Sequence, residues 1–272
     1  MTINCKGKLI DLSTPKVMGI LNVTPDSFYD GGRFKNESSI INQVEFMLTE
    51  GATFIDVGAY SSRPGADHVS ETEELNRIIP VIKLLVKQFP EINLSIDTFR
   101  SKIAQECINY GAAMINDISA GKLDDKMIET IGKLQVPYVM MHMKGSPQSM
   151  HQQTDYSDLM KEIIYYFSER IAEARAHKIN DIIIDPGFGF SKTLEQNYKL
   201  LSNLQLLKLI EKPILAGISR KSMIYKLLDI SPENALNATS SLNTVSLLKG
   251  AKILRVHDVK EAMECVTLIN QL

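Results

Sequence analysis

Short apolar runs alternate along this chain with longer segments in which the apolar residues have a helical period. The runs are almost continuously apolar, which is typical of parallel strands that are buried on both faces. Eight such runs occur in order: KVMGILNV, FIDVGA, NLSIDT, MINDIS, PYVMMHM, DIIIDPG, PILAGIS and ILRVHDV.

The segments between these runs predict amphipathic helices, because their apolar residues recur every three or four positions. The clearest are SSIINQVEFMLTEGA, SETEELNRIIPVIKLLVKQFP, SDLMKEIIYYFSERIAEARAHK and SPENALNATSSLNTVSLLKGA. Local start and stop signals agree with this periodicity. They are a capping box at Ser70 and Glu73, a start at Ser231 and Pro232, and helix-ending glycines at Gly51, Gly111 and Gly250.

Eight strand–helix units in 272 residues predict an α/β fold, a single (β/α)8 TIM barrel that forms one domain over residues 1–272. The alternative is an open doubly wound sheet, in which the first strand usually leads into a glycine-rich phosphate turn. Here the first strand is followed by TPDSFYDGG, and no GxGxxG pattern occurs. The barrel is therefore the favoured architecture.

Composition narrows the class of partner. The chain has 30 Lys and Arg against 32 Asp and Glu, and these charges are scattered. No basic surface for nucleic acid or an anionic membrane is expected, so the partner should be a small molecule. The three cysteines are far apart, and the N-terminus lacks a long apolar leader. These features predict a cytoplasmic protein with reduced, buried cysteines and no membrane-spanning segment.

Every predicted strand ends in a polar residue. In a barrel of this kind the active site lies at the carboxyl ends of the strands. Charged side chains that converge there repel one another unless ligands occupy the space, so the pattern predicts a ligand site. The residues are Asn22, Asp56, Asp97, Asn116, His142, Asp185, Ser219, Arg255 and His257.

The last strand carries two basic residues on one face. Arg255 and His257 are two positions apart, whereas Leu254 and Val256 point to the opposite face. A buried guanidinium without an anion costs several kcal/mol or more, so a partner is required. Asp258 follows His257 directly and should face the other way. We therefore expect the anion to be a ligand.

Three loops offer further binding chemistry. TPDSFYDGG and YSSRPGADHVS are rich in hydroxyls, Gly and Pro, which suits loops that wrap a phosphate. In DPGFGFSK, Asp185 is at the strand tip, and Phe188 and Phe190 supply flat surfaces for a planar ring. HMKGSPQSMH could suggest a Met/His metal site, but a strand end followed by a loop is the preferred interpretation.

The start of the helix after the seventh strand is the expected anion site. GISRKSMIYKLL places Ser219, Arg220, Lys221 and Ser222 there. Free backbone N–H groups and the helix dipole favour a carboxylate or phosphate at such a position. A lysine is otherwise disfavoured at a helix N-terminus, so Lys221 is a functional candidate.

Taken in order, the motifs over residues 17–258 resemble the dihydropteroate synthase family. They are MGILNVTPDSFYDGG, SSRPG, SIDT, INDIS, MHMKGSP, DPGFGF, SRKS and LRVHDV. One departure is GAYSSRPG, where the family has Glu-Ser-Thr before Arg-Pro-Gly. Tyr60 then stands for the Glu and Ser62 for the Thr, so Ser62 keeps the hydroxyl whereas the carboxylate is lost.

The resemblance implies an enzyme of folate synthesis that needs Mg²⁺. It would join 4-aminobenzoate to 6-hydroxymethyl-7,8-dihydropterin diphosphate, releasing dihydropteroate and pyrophosphate. The resemblance implies that the pterin is bound by Asp97, Asn116, Asp185 and Lys221. The diphosphate would be bound by Asn22, Ser62, Arg63, Arg255 and His257, with Asn22 also as the metal ligand. The 4-aminobenzoate would be bound by Phe28, Pro64, Phe190 and Ser222.

The family's reaction implies early breaking of the bond to pyrophosphate, which leaves a pterin cation for the arylamine to attack. Arg255 and His257 would stabilise the leaving anion and Asp97 the cation, and these three residues with Lys221 form the expected catalytic set. Arg255→Ala should therefore weaken binding of the pterin diphosphate far more than binding of the free pterin. The affinity for sulfonamide analogues of 4-aminobenzoate would depend on loop detail near Ser27, Phe28, Ser62 and Pro64.

Two other functions are compatible with a pterin-reading barrel. One is methyl transfer from a reduced folate to a corrinoid protein, which has no reason to hold a diphosphate. The other is a non-catalytic binder, which predicts damage at Lys221, Asp97 or Arg255, and none is present. The resemblance also implies a homodimer formed through outer helices in the C-terminal part of the barrel.

Overall fold

The structure, a computed structural model, describes residues 1–23, 33–60 and 69–272. Eight parallel strands close into a barrel in which each strand pairs with the next along the chain and the last pairs with the first, which confirms the predicted (β/α)8 fold. All eight overlap the apolar runs. They are β3 Lys16–Asn22, β4 Phe54–Gly58, β5 Leu94–Asp97, β6 Met114–Asp117, β7 Tyr138–Met141, β8 Ile182–Asp185, β9 Ile214–Ala216 and β10 Ala251–Val256.

Helices surround the barrel and cover the outer face of its strands. They are α1 Arg33–Thr49, α2 Glu71–Gln88, α3 Ser101–Asn109, α4 Met127–Leu134, α5 Leu159–Ala176, α6 Leu194–Ser202, α7 Ser222–Leu228, α8 Leu236–Leu248 and α9 Val259–Ile269. Shorter 3₁₀ turns cover Met150–Gln152, Leu204–Ile210 and Pro232–Asn234. Within the described part of the chain, no helix combines the length and apolar character needed to cross a membrane.

The predicted helix boundaries are largely correct. The Ser70 hydroxyl accepts a hydrogen bond of 3.2 Å from the backbone N–H of Glu73, as an N-cap does. Gly51, Gly111 and Gly250 all have positive φ, which suits the residue after a helix. Pro232 begins a 3₁₀ turn rather than the predicted α-helix, and α8 starts only at Leu236.

An N-terminal hairpin closes the amino end of the barrel. Strands β1 Thr2–Cys5 and β2 Lys8–Asp11 pair antiparallel. Their two-residue turn, Lys6 and Gly7, has positive φ at both positions, as a type I′ hairpin requires. Ile3, Cys5 and Leu12 pack with barrel residues in one apolar cluster: Met18, Phe54, Ala113, Met114, Val139, Ile183, Leu215 and Ile253. The opposite, carboxyl end of the barrel is the one lined by polar side chains.

All three cysteines, Cys5, Cys107 and Cys265, are buried and free, as predicted. Burial raises the pKa of the Cys5 thiol to about 12, and the charge of Asp181 adds to that effect. The Cys5 thiol is therefore protonated, and all three buried cysteines pack as small apolar side chains.

Candidate functional site

The carboxyl ends of the strands bring the predicted polar residues together. Asp97 of β5 lies opposite Asn116 of β6 in the parallel register, and Gly58 of β4 lies opposite Asp97. Asn116 and Asp185 are buried, and Asp97 and Arg255 are partly buried. Side chains from distant parts of the sequence therefore share one cleft because the barrel closes.

The guanidinium of Arg255 bridges two carboxylates. Its Nε donates to Asp56 Oδ2 at 2.6 Å, and its Nη2 donates to Asp97 Oδ2 at 2.9 Å. The Asn116 amide donates to the same Asp56 oxygen at 3.0 Å. The prediction that the anion for Arg255 lies outside the chain is therefore wrong: barrel closure supplies two carboxylates that strand alternation alone could not reveal.

Asp56 forms the floor of this network. Its side chain is completely buried, and its Oδ1 has no hydrogen-bond partner among the described residues. A buried unsatisfied acceptor is rare and marks a place where a donor is needed. The strand pattern placed Asp56 at the rim, but its role as the anchor of Arg255 was missed.

Lys221 and Asp185 form the second part of the cleft. Lys221 immediately precedes α7, and its Nζ donates to the carbonyl of Phe188 and lies 4.6 Å from the centre of the Phe190 ring. A Cβ on Gly217 would lie 3.9 Å from Lys221 Nζ and 3.8 Å from Arg255 Cβ. Gly217 therefore lies in van der Waals range of both cationic side chains, which places them in one cleft.

Burial and mutual charge change the acidity of these groups. Burial raises the pKa of Asp97 to about 7, although the nearby charge of Arg255 opposes that rise. Burial lowers the pKa of Lys221 to about 8, against the stabilising charge of Asp185. Burial also raises the pKa of Asp185, and here Lys221 opposes it. Groups poised near neutral pH in a cleft are typical of functional sites.

Arg255 and Asp258 face opposite ways, as strand alternation predicts. Leu254 and Val256 are fully buried, whereas Arg255 faces the cleft. His257 Nδ1 lies 3.0 Å from the Ser219 hydroxyl at the end of the neighbouring strand. Asp258 turns away and accepts two hydrogen bonds from the Arg220 guanidinium. Arg220 therefore forms an ion pair with Asp258 at the outer edge of the site.

The aromatic residues of the DPGFGF motif differ from expectation. Phe190 is partly exposed and lies against Lys221, as a ring-binding surface should. Phe188 is fully buried in the main apolar core, so the prediction that it offers a flat surface to a ligand is wrong. Ser222 is the first residue of α7, as predicted, and Asn22 is exposed at the end of β3.

Four predicted site residues, Phe28, Ser62, Arg63 and Pro64, lie outside the described residues, as does Ser27. Tyr60, which replaces the family's glutamate, is described. Its ring is buried, 5.1 Å from the Phe99 ring and 5.4 Å from the Arg100 guanidinium. Its hydroxyl accepts a hydrogen bond from Gln148. The departure thus replaces a charge with an aromatic contact.

Sequence reasoning missed one buried cation beside the cleft, Lys192. Its Nζ lies within hydrogen-bond distance of His142 Nδ1. The only signal was a lysine at the end of the otherwise apolar motif DPGFGFSK. A single lysine in a loop is usually solvated, so this signal was too weak to predict burial.

Comparison with known proteins identifies the family of this chain. Residues 18–257 match the family described as "Pterin binding enzyme", and the chain therefore belongs to the pterin-binding enzymes. The chain is 40% identical to the dihydropteroate synthase of Escherichia coli K12, covering 99% of this chain and 95% of that protein. It is 41% identical to the Haemophilus influenzae enzyme of the same name, covering 95% and 94%.

Solved structures lead to the same family. A Yersinia pestis dihydropteroate synthase in a sulfonamide drug complex superimposes with a TM-score of 0.93 at 41% identity, covering 100% of this chain and 98% of that one. A Xanthomonas albilineans dihydropteroate synthase with 4-aminobenzoic acid gives 0.91 at 37% identity, covering 99% and 97%. Within the pterin-binding enzymes, this chain is a member of the dihydropteroate synthase family and a transferase.

Proposed function

We propose that this protein condenses 6-hydroxymethyl-7,8-dihydropterin diphosphate with 4-aminobenzoate in folate synthesis. The arylamine nitrogen forms a bond to the pterin methylene carbon, the carbon–oxygen bond to the diphosphate breaks, pyrophosphate leaves and the amine loses a proton. The observation that carries this proposal is the cleft in which Arg255 joins Asp56 to Asp97 beside Lys221.

The pterin is assigned to the deep part of the cleft. A pterin edge presents both donors and acceptors, and Asp97, Asn116, Asp185 and Lys221 offer complementary groups there. Hydrogen bonds to charged groups contribute about 1.5 to 3 kcal/mol each, so a ring that lacks these donors would be rejected strongly. The burial of Asn116 and Asp185 supports this assignment.

The cation that develops on the pterin would be stabilised by carboxylates. Asp97 lies at the C-terminal end of β5 and is already held in place by Arg255 at 2.9 Å. A fixed carboxylate needs no reorganisation as the positive charge forms, which is the basis of electrostatic catalysis. Lys221, in contact with the Phe190 ring, is assigned to the pterin and not to an acid–base step.

The diphosphate is assigned to the rim, where Asn22, Ser62, Arg63, Arg255 and His257 would bind it. Arg255 uses Nε and Nη2 for the two carboxylates, so only part of its guanidinium remains for a phosphate. His257 lies beside the Ser219 hydroxyl at the end of β10. These positions support a leaving-group site at the outer edge of the cleft.

Mg²⁺ fits this rim if the substrate supplies most of its ligands. The described residues contain no group of three or more His, Cys, Asp or Glu side chains that could hold a metal ion. The exposed Asn22 amide is an oxygen donor of the type that Mg²⁺ accepts, and Mg²⁺ commonly keeps waters and phosphate oxygens. Bound there, the ion would neutralise charge on the departing pyrophosphate.

4-Aminobenzoate is assigned to the mouth of the cleft at Phe190, with its carboxylate near Ser222. The family resemblance adds Phe28 and Pro64, which lie outside the described residues. Phe190 is partly exposed beside Lys221, which supports an aromatic contact adjoining the pterin. The solved Xanthomonas albilineans relative contains 4-aminobenzoic acid, and the Yersinia pestis relative contains a sulfonamide drug. We propose that both bind this mouth in the present protein.

The protein is further proposed to be a cytoplasmic homodimer. Its buried, free cysteines suit a reducing compartment. Several leucines are exposed on outer elements of the C-terminal part of the chain, and large apolar exposure marks contact surfaces. They are Leu206, Leu209, Leu227, Leu228, Leu248 and Leu268.

Pyrophosphate release by the purified protein, with Mg²⁺, the pterin diphosphate and 4-aminobenzoate, tests the proposed function. Asp185→Asn should reduce release at least tenfold, because it removes a carboxylate from the cleft. Asp181→Asn is the matched control, since Asp181 precedes the same strand at the opposite end and binds the backbone of Asn4. Absence of release by the unaltered protein, under conditions where a known synthase turns over, would contradict the proposal.

A further inference from the structure

Lys192 is a buried cation that lies just outside the proposed substrate contacts. Its side chain is 8% exposed. The ammonium lies 3.0 Å from the carbonyl oxygens of both Gly187 and Phe190, and 3.1 Å from His142 Nδ1. Three acceptors around one nitrogen match the three N–H donors of a charged lysine. None of these partners is a carboxylate.

The turn that Lys192 contacts also contacts two of the proposed pterin ligands, Asp185 and Lys221. The Gly187 N–H donates to Asp185 Oδ1 at 2.8 Å, and the Phe188 carbonyl accepts from Lys221 Nζ. Gly187 has a φ of +71°, and a Cβ there would meet the His142 carbonyl oxygen at 2.1 Å. The backbone of the turn therefore packs closely against the end of β7.

His142 completes this arrangement as a neutral acceptor. It is 2% exposed, and burial lowers its pKa well below the usual range, with the charge of Lys192 acting in the same direction. Its ring packs edge-on against Tyr166, with centroids 4.8 Å apart. The imidazole therefore has a fixed orientation from which Nδ1 faces the ammonium.

This arrangement is unfavourable for stability alone. Burying a cation without a paired carboxylate is costly, whereas a neutral donor could satisfy the same two carbonyl groups and imidazole without that cost. Burial lowers the pKa of Lys192 to about 7, although Asp185 partly opposes the shift. Because Lys192 binds two carbonyl groups of the turn that follows Asp185, its burial is best explained by an effect on the conformation of that turn.

We propose that Lys192 is a positioning residue for the pterin site. Its ammonium fixes the carbonyl groups of Gly187 and Phe190, and the turn they belong to orients the Asp185 carboxylate and the Lys221 ammonium toward the ring. This inference rests on the proposed function, because it takes Asp185 and Lys221 as pterin ligands. The inference assigns Lys192 and His142 a role in the affinity for the pterin.

The test compares three variants of the full chain. Lys192→Met removes the charge and all three donors at nearly constant volume, and Lys192→Arg keeps a charged donor. Lys122→Met is the matched control, because Lys122 is an exposed lysine that lies over the Tyr166 ring, which itself packs against His142. Binding of 6-hydroxymethylpterin by calorimetry and the melting temperature are measured for each.

We expect Lys192→Met to bind the pterin at least tenfold more weakly while its melting curve shows that it is fully folded at the temperature of the binding measurement. Lys192→Arg should recover part of the affinity, and Lys122→Met should bind within twofold of the unaltered protein. A stable Lys192→Met that binds normally would overturn the inference. A Lys192→Met that does not fold, with Lys192→Arg folded but no weaker in binding, would assign Lys192 to stability alone and would also overturn it.

The proposed function fails by a different result. If the unaltered protein binds no pterin, the assignment of the cleft is wrong and Lys192 has nothing to position. If the unaltered protein binds pterin and releases pyrophosphate while Lys192→Met does both equally well, the function stands and only the role of Lys192 is lost.

Discussion

The guanidinium of Arg255 holds two carboxylates that come from β4 and β5. Removing it with Arg255→Ala leaves the fully buried Asp56 unpaired, so we expect the free energy of unfolding to fall by about 3 to 5 kcal/mol. Binding of the free pterin should fall together with binding of its diphosphate, because Asp97 loses its anchor. Denaturant unfolding and calorimetry measure the two effects.

The sequence-based expectation was different: Arg255→Ala would weaken binding of the pterin diphosphate far more than binding of the free pterin. Arg220→Ala is the control, because Arg220 pairs with Asp258 at the outer edge and is 30% exposed. That variant should lose only about 1 kcal/mol. A selective loss of diphosphate affinity with unchanged stability would show that the bridge to Asp56 and Asp97 is unimportant.

The acidities of Asp97 and Lys221 predict a narrow pH optimum. The value of kcat/KM for the pterin diphosphate should fall below about pH 7, because Asp97, with its pKa raised to about 7, becomes protonated and loses its charge. It should fall again above about pH 8, as Lys221 loses its proton. Steady-state kinetics from pH 5.5 to 9.5 measure both limbs.

Lys221→Arg separates the two limbs of this profile. A guanidinium stays charged throughout the range, so the alkaline fall should disappear while the acidic fall remains. An alkaline limb that is unchanged in Lys221→Arg would mean that another group, not Lys221, controls it.

At the residue scale, the sequence predicts which side chains reach the cleft better than it predicts what they touch. Strand alternation placed Arg255 and His257 on one face and turned Asp258 away, and the contacts of Arg255 and Asp258 confirm the prediction for these two residues. The partner of Arg255 was missed because Asp56 is 199 positions away along the chain. Only barrel closure, which no local pattern encodes, brings the two together.

At the scale of elements, α2 is attached to β5 by a buried ion pair. Glu74 of α2 is fully buried, accepts a hydrogen bond of 2.8 Å from the Thr98 hydroxyl and pairs with Arg100 at 2.5 Å. Arg100 also donates to the carbonyl of Val69 at 2.7 Å. The pair therefore joins the end of β5, α2 and the segment that leads into α2.

Glu74→Ala should lower the free energy of unfolding by about 3 to 5 kcal/mol, because it leaves the Arg100 guanidinium buried without its carboxylate. Glu73→Ala on the same helix is the control. Glu73 is 50% exposed and pairs with Arg77 one turn away, so its loss should cost less than about 1 kcal/mol. Equal costs in urea unfolding would contradict a structural role for the buried pair.

The elements themselves were predictable where periodicity is strong. All eight barrel strands overlap the apolar runs, because strands covered on both faces must be apolar throughout. The N-terminal hairpin was missed because each strand has only four residues, too few for alternation to be recognised. Its type I′ turn at Lys6 and Gly7 was the available signal.

At the scale of the whole molecule, the two ends of the barrel have different roles. The hairpin fills the amino end with Ile3, Cys5 and Leu12, which leaves the carboxyl end for polar chemistry. The sequence predicted which end of the barrel is polar, because the carboxyl ends of all strands in a parallel barrel lie at the same end. The closure of the amino end by the hairpin was not predictable, because it depends on packing between residues far apart in sequence.

The exposed leucines on the outer elements predict how two copies of the chain associate. Leu228 ends α7 and Leu248 ends α8, and they are 51% and 57% exposed. If these leucines form the dimer contact, the double variant Leu228→Glu and Leu248→Glu should sediment as a 30.5 kDa monomer where the unaltered chain is a dimer. Leu9→Glu, at an equally exposed site on the hairpin, should leave the dimer intact. Sedimentation equilibrium at micromolar concentration decides this, and a dimer that survives the double variant would place the contact on another surface.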